Sequence, residues 1–473
     1  MSNRSSHLPT YALVLLALAG GAGLFYWKSQ PAPLPPEAKN CAIAKQNLSQ
    51  SELDDRMSRG DRILFQQEEN FNRDRGIEKF KAGDYVAAVE FFKKAVLGTI
   101  NHPESQIYLN NAIARRQAAL SSSQSEQGKP YVLAAMVPID QQGDVAKEIL
   151  RGIADAQTKF NQDQATDSNN RLLEILIIND GNKPDDSLQL ACKIGQDQDV
   201  LAVVGHYSSD TSAAALPAYE QVQLAMVSPT ATSTTLSSPV FFRTVPSDQK
   251  SGEALAAYAQ RQNFAQVVVF FDKESTYSKS LTDAFTQAYE TQGKLVMPPI
   301  DLTAGQESDA LTTAREKGAQ AIVLLPGSET RSTAISIAKL NAEQAPDQRL
   351  PLMGGDTLYH PTTLQNGGNS VANLVVVAPT LRERAPYTEK AEKSWGGRVG
   401  WRTPSSYDAT EALIAVVRKQ GEEVSREQVL AGLKQYFADE GDRHGEPMLF
   451  QAVQGAPAPM GAEFGFSPLP PLP

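Results

Sequence analysis

The chain has 473 residues, more than one ordinary domain holds, and its 41% hydrophobic and 21% charged composition is enough for real cores. A formal net charge of -10 argues against a nucleic-acid partner, whose phosphates need a basic face. Its two cysteines, Cys41 and Cys192, stand far apart with no CxxC spacing, which argues against a zinc site or a disulfide framework and for two idle thiols.

Tyr11 to Trp27 is an uncharged apolar segment, with Arg4 before it and Lys28 after. As a helix it would be ~26 Å long, close to the ~30 Å hydrocarbon core of a bilayer. Residues 1–28 therefore read as an uncleaved membrane anchor. The alternative is a cleaved signal peptide, since Ala17-Leu18-Ala19 is a passable processing site. Either reading puts the bulk of the chain outside the cytoplasm. Residues 29–65 read as linker and helical stalk, beginning with the proline-rich spacer Pro31 to Pro36.

Residues 66–122 are helical by pattern. Gly83-Asp84-Tyr85, Ala88, Phe92 and Ala95 carry the offsets of a tetratricopeptide-type helical hairpin, and Pro103, Tyr108, Asn110 and Ala112 suggest a partner helix. The module is either a spacer that binds a protein partner or a hairpin packed on the main domain. The polar, serine-rich stretch Ser121 to Lys129 marks its end.

From Tyr131 the rhythm changes. YVLAAMV, LLEILII, VLAVVG, LAMVS, VVVFF, AIVLL, LPLMGG and NLVVVA alternate with helical segments, which predicts parallel strands covered on both faces. Two lobes suit that length better than one sheet, with Phe241 to Asp248 as the first crossing between them. The most informative stretch runs from Leu201 to Leu236. Two apolar runs there each end in hydroxyls, Tyr207, Ser208, Ser209 and Thr211 after the first and Ser228, Thr230, Thr232, Ser233 and Thr234 after the second. Hydroxyls and helix N-terminal N–H groups at the carboxyl ends of adjacent parallel strands suit a small carboxylate. Read blandly, the same clusters are N-caps and turns.

The order GHYSSDTSAA, VSPTATSTT, FFRTVPSDQKSG, FFDKESTYSKS and SSYDATEAL is similar to type I solute-binding proteins of ABC transporters, the leucine/isoleucine/valine-binding kind in particular. The resemblance covers roughly Tyr131 to Leu449. It implies an α/β fold of two Rossmann-like lobes joined by three hinge crossings, residues 130–246 with 379–445 and residues 247–378 with 446–473. It further implies a carboxylate site on Ser209, Thr230 and Thr232, with Tyr207 and Ser208 in the same loop. From the second lobe it implies a ligand-facing Tyr277, an acidic ammonium anchor at Asp356, and Ser328 as a further cleft position. Departures from the family pattern are Asp140, Gln141 and Gln142 in the first loop, Asp210 beside the carboxylate site, and Ser278 after Tyr277. Arg402, where the family is often apolar, points to a polar or acidic ligand side chain.

Hydroxyls on one wall and a carboxylate on the other describe a receptor for an amino acid or similar zwitterion, passed to an ABC permease in the membrane from the bacterial periplasm. No nucleophile with its base, phosphate loop or metal-ligand spacing is visible, so neither an enzyme nor a cofactor is expected, and His206 reads as structural. Asp180 and Asp272, at strand ends, read as turn or cap residues. A second class stays open: a membrane-anchored regulator or ligand sensor with a binding-protein-like domain. A known envelope activator of a penicillin-binding protein combines helical repeats with such a domain.

Overall fold

The structure is a computed structural model and describes residues 41, 47–120, 128–164, 171–379, 385–420, 424–440, 446–459 and 461–470. The expected anchor, the proline spacer and most of the serine-rich boundary lie outside these residues. No helix among the described residues is long and apolar enough to cross a membrane.

A short N-terminal segment is fastened to the first lobe. Ser49 closes a capping box with Glu52 at the start of α1 (Gln50–Asp55), and β1 (Met57–Ser58) comes next. Three helices succeed it, α2 (Phe71–Lys81), α3 (Tyr85–Gly98) and α4 (Pro103–Leu120). Gly83 takes φ +74° in the α2–α3 turn, where a side chain would be strained. Any Cβ on Gly76 would run into the buried Phe92 ring, so α2 and α3 cross closely. The two helices form a hairpin, and α4 packs it onto the next domain. Asn111 reaches from α4 to the edge of a strand, donating to the Ile175 carbonyl at 2.8 Å and accepting from its N–H at 2.9 Å.

The first lobe then builds in βα steps: β2 (Tyr131–Val137), α5 (Gly143–Gln164), β3 (Leu173–Asn179), α6 (Pro184–Gln196), β4 (Val200–Val204), α7 (Ser209–Gln221), β5 (Ala225–Ser228) and β6 (Phe241–Arg243). Its sheet has the order β1-β3-β2-β4-β5-β6 among the described residues, parallel except for β1, which pairs antiparallel with β3. β3 and β4 are buried along their whole length, as strands covered on both faces must be, which is why they read as unbroken apolar runs.

After β6 the chain crosses to a second sheet, built from α8 (Asp248–Arg261), β7 (Gln266–Phe271), α9 (Thr276–Tyr289), β8 (Lys294–Leu295), β9 (Ile300–Asp301), α10 (Glu307–Glu316), β10 (Ala321–Leu325), α11 (Arg331–Ala342), β11 (Leu352–Gly354), α12 (Pro361–Gly367) and β12 (Val375–Ala378). It then returns to the first lobe with α13 (Ala385–Ser394), α14 (Arg402–Lys419) and α15 (Arg426–Glu440), and ends in the second sheet with β13 (Met448–Gln454) and β14 (Phe464–Pro468). The second sheet has the order β14-β13-β12-β11-β10-β7-β8, with β9 also on β7. In each lobe the strand order reverses beside the first parallel strand, between β2 and β4 and between β7 and β10. Such switch points open a crevice at the strands' carboxyl ends.

One expectation is corrected. Both Cys41 and Cys192 are disulfide-bonded, and no described cysteine is free. Spacing along the chain does not reveal oxidation state, and such bonds persist in oxidising compartments.

The seam between the N-terminal elements and the first lobe is ionic. Glu174, fully buried on β3, accepts from Arg59 Nη1 at 2.7 Å and from both Nη2, at 2.7 Å, and Nε of Arg115. Removing that carboxylate strips Arg115 of this ion pair and leaves Arg59 with Asp197 alone. Glu174→Ala is expected to cost about 3–5 kcal/mol in urea unfolding, and a loss within error would show that the seam does not depend on this group.

Candidate functional site

On the first lobe the rim is formed by the loops after β4 and β5. Its hydroxyls divide by what they already hold. Ser208 caps α7, accepting from Thr211 N–H at 3.2 Å. Thr230 Oγ1 donates to the Tyr207 carbonyl at 2.7 Å and so staples the two loops together. Ser209 Oγ accepts from Ser233 N–H at 3.3 Å. Thr232 Oγ1 alone among these is buried without a partner among the described residues. Of the hydroxyls expected to meet a ligand, then, Ser208 and Thr230 are engaged inside the lobe, because short loops between parallel strands must satisfy their own backbone first. His206 is structural as expected, wholly buried between Asp180 Oδ2 at 2.7 Å and Tyr219 Oη at 2.9 Å.

From the second lobe, Tyr277 in the first turn of α9 and Asp356 in the turn after β11 come to the same place. Tyr277 Oη is buried, faces the Asp356 carboxyl without a well-formed hydrogen bond to any described residue, and abuts Gly355, where any side chain would displace it. Burial raises the Asp356 carboxyl above its usual range, while Tyr277 and Arg402 draw it down. Ser328 lies half-buried in the loop after β10, and Arg331, three residues on, is the side chain that enters the cluster. Asp272, just past β7, is a turn residue, accepting from Glu274 N–H at 2.9 Å and from Thr330 Oγ1 at 2.9 Å.

Three participants were not singled out from sequence. Asp248, at the start of α8, is 1% exposed, and neither carboxylate oxygen has a partner among the described residues. Burial raises it to about 7, the Asp356 charge adds to this, and Thr232, Ser280 and Arg243 oppose it. Arg331 donates from Nε to the Thr357 carbonyl at 2.8 Å and from Nη1 to Gln142 Oε1 at 3.4 Å, leaving Nη2 unpartnered. Trp401 Nε1 is buried and unpartnered beside Arg402. Asp248 sits in the segment read as a crossing, and Arg331 reads as a routine first-turn residue. No local pattern marks either one.

Arg402 enters from α14, 1% exposed, with its guanidinium carbon 5.8 Å from the Tyr207 ring centroid and 4.7 Å from that of Trp401. Its Nη1 donates to Glu148 Oε2 at 3.3 Å and the Tyr359 carbonyl at 3.5 Å, while Nε and Nη2 have no partner among the described residues.

The lobes meet directly around this cluster. Asp210, whose charge seemed out of place beside a carboxylate site, accepts from Thr276 N–H at 2.6 Å and Ser275 Oγ at 3.2 Å. It caps a helix, but the helix belongs to the opposite lobe, where the positive end of α9 favours an anion. Thr234 N–H donates to Ser280 Oγ at 3.0 Å alongside. The arrangement is a closed cleft lined by buried polar atoms with unused capacity.

A family model for the periplasmic binding proteins matches residues 138–445. The chain belongs to that family. Its members bind solutes and do not transform them, and membership implies a periplasmic location. Among solved structures, a leucine-binding protein from Thermotoga maritima is 18% identical, covering 71% of this chain and 97% of its own, with a TM-score of 0.59. A branched-chain amino acid transporter substrate-binding protein from Streptococcus pneumoniae in complex with isoleucine is 16% identical, covering 72% and 100%, with a TM-score of 0.59. A solute-binding protein of an ABC transporter from Rhodopseudomonas palustris in complex with 3,4-dihydroxybenzoic acid is 15% identical, covering 72% and 96%, with a TM-score of 0.57. At such identities the likeness establishes the fold. Comparison with curated protein sequences returns no match. The helices α1–α4 precede the matched region, so the likeness to tetratricopeptide repeats gains no support from it.

Asp248 yields a test that needs no ligand. The folded chain keeps its proton to about pH 7, whereas an unfolded chain releases it near the ordinary value of 3.8. Between those values the folded state holds more protons, so this group's contribution to stability falls as pH rises. Asp248→Asn, which mimics the protonated acid, is expected to gain stability relative to wild type as pH rises from 4 to 7 and to level off above. Parallel denaturation curves for the two proteins across that window would refute the assignment.

Proposed function

We propose that the chain is an extracytoplasmic receptor that captures a small zwitterion, most simply an amino acid, and delivers it to an ABC permease. The observation that carries this is a set of buried, unpartnered atoms gathered between the lobes, Thr232 Oγ1 on one side, Tyr277 Oη on the other and both oxygens of Asp248, with the half-buried Asp356 carboxyl beside Tyr277. A buried polar atom left unpaired costs about 1–3 kcal/mol, and more if charged. A solute that brings a carboxylate to Thr232 and Ser209 and an ammonium to Asp356 and Tyr277 relieves those costs at once. Of the similar solved structures, one holds isoleucine and another 3,4-dihydroxybenzoic acid. An aromatic acid has no cation to offer, and the two carboxyl groups here favour a ligand that does.

A scaffold role is favoured by a different observation. Phe71, Leu97 and Ile100 on or beside the helical module are 74%, 75% and 67% exposed. Such a surface suits a protein partner. A scaffold does not require a solute in the cleft, so an amino-acid panel separates the two readings, because a bound ligand raises the melting temperature by mass action.

Asp356→Ala is expected to weaken amino-acid binding by at least about 30-fold, the scale of a charge left without its partner, in isothermal titration calorimetry. Unchanged affinity would remove the ammonium anchor from the proposal, and a wild-type protein silent to the whole panel would favour the scaffold.

A further inference from the structure

Arg331 is 7% exposed and forms no ion pair with any described residue: its bonded partners are the Thr357 carbonyl and the Gln142 amide, both neutral. Its Nη2 is buried and unpartnered. Arg402, from the opposite lobe, adds an unpartnered Nε and Nη2, and its one bonded carboxylate, Glu148, is engaged through Nη1. Each guanidinium feels Tyr207 and Asp356, and Arg402 disfavours the charge on Arg331. The same pair, together with burial, holds His360 neutral, pushing it down to about 2. Two like charges are thus buried close together, with three N–H-bearing nitrogens unused. A guanidinium has no neutral form within reach, so it cannot relieve this by losing a proton.

We infer that Arg331 and Arg402 form an anion subsite separate from the carboxylate site at Thr232, and that the solute is an acidic zwitterion carrying a second negative group. Arg331 bonds the carbonyl of Thr357, the residue after Asp356, so the subsite lies beside the proposed ammonium anchor. That places a negative group a few atoms from the cationic centre, as in an amino acid with a side-chain carboxylate. Because Gln142 and Glu148 from one lobe and Thr357 and Tyr359 from the other hold the two guanidiniums, the subsite is complete only when the cleft is closed. The second anion therefore acts on closure as well as on affinity.

This inference rests on the zwitterion reading, and the test keeps the two apart. L-Glutamate and L-glutamine differ by one charge at nearly equal size, as do L-aspartate and L-asparagine. Titrated into the full-length wild-type chain, the acid of the better pair is expected to bind roughly ten- to hundredfold more tightly than its amide, the scale of charge-assisted hydrogen bonds. Arg331→Gln and Arg402→Gln are expected to collapse that ratio toward one, and Arg331→Lys keeps part of it if the glutamine variants fold poorly. Equal affinity for acid and amide, or tighter binding of leucine, overturns the second anion while leaving the amino-acid reading in place. Glutarate binding as well as glutamate keeps the anion subsite but overturns the zwitterion. Binding of none of these compounds overturns both.

Discussion

A carboxyl group or an imidazole forced out of water can shed its charge, and several here do. Asp248 is raised to about 7 and His360 is driven down to about 2. Arginine has no such retreat. The pair Arg331 and Arg402, brought from different lobes into one dry space, fixes what the rest of the cleft has to supply. Glu148, Asp356, the Tyr207 ring and two backbone carbonyls answer part of that demand. The remainder is a requirement placed on the ligand. In the proposed receptor, recognition is governed less by the hydroxyl loops than by this unfinished neutralisation.

The same constraint ties recognition to domain motion. The partners that steady the two guanidiniums are divided between lobes, so opening the cleft strips each of them of half its bonds. Asp210 works in the same direction, since its carboxylate satisfies the first turn of α9 only while the lobes touch. Bonds of this kind are strong when water is excluded and weak when it is not. They give closure a sharp dependence on whether the interior is electrically complete. A guest of the right charge pattern completes it, and a merely well-shaped one does not.

Much of the architecture was legible in the sequence. Runs such as LLEILII and VLAVVG can only be strands buried on both faces, and their alternation with helices leaves few topologies. Tyr277 and Asp356 were legible through family likeness, and both reach the cleft. The failures have a common physical origin. Ser208 and Thr230 carry the same chemistry as Thr232, and only the geometry of neighbouring loops decides which hydroxyl is spent on a backbone group. Asp248 and Arg331 are ordinary first-turn residues until a crossing and a closure set them beside groups far away in the chain. Asp210 stood out in sequence only as a charge beside the carboxylate site, and sequence offers no means of seeing that it caps another lobe's helix. The cysteines show the same limit, since their spacing carried no information about their oxidation.

The N-terminal elements bear on which lobe moves. Their described bonds run to the first lobe: β1 extends its sheet, Arg59 and Arg115 converge on Glu174, and Asn111 clasps the backbone of Ile175. Arg151 and Lys147 on α5 return the contact to Asn101 and Glu68. A lobe held along one sheet edge and one helix face has lost its freedom to rotate against that segment. On the proposed receptor reading, closure carries the second lobe toward this braced first one. Arg402, Tyr207 and Thr232 then form the stationary wall, and Arg331, Tyr277 and Asp356 travel. On that reading, a solute that meets the braced wall first finds the proposed carboxylate site and one guanidinium already in position, and the proposed ammonium anchor with the second guanidinium arrives with the moving lobe.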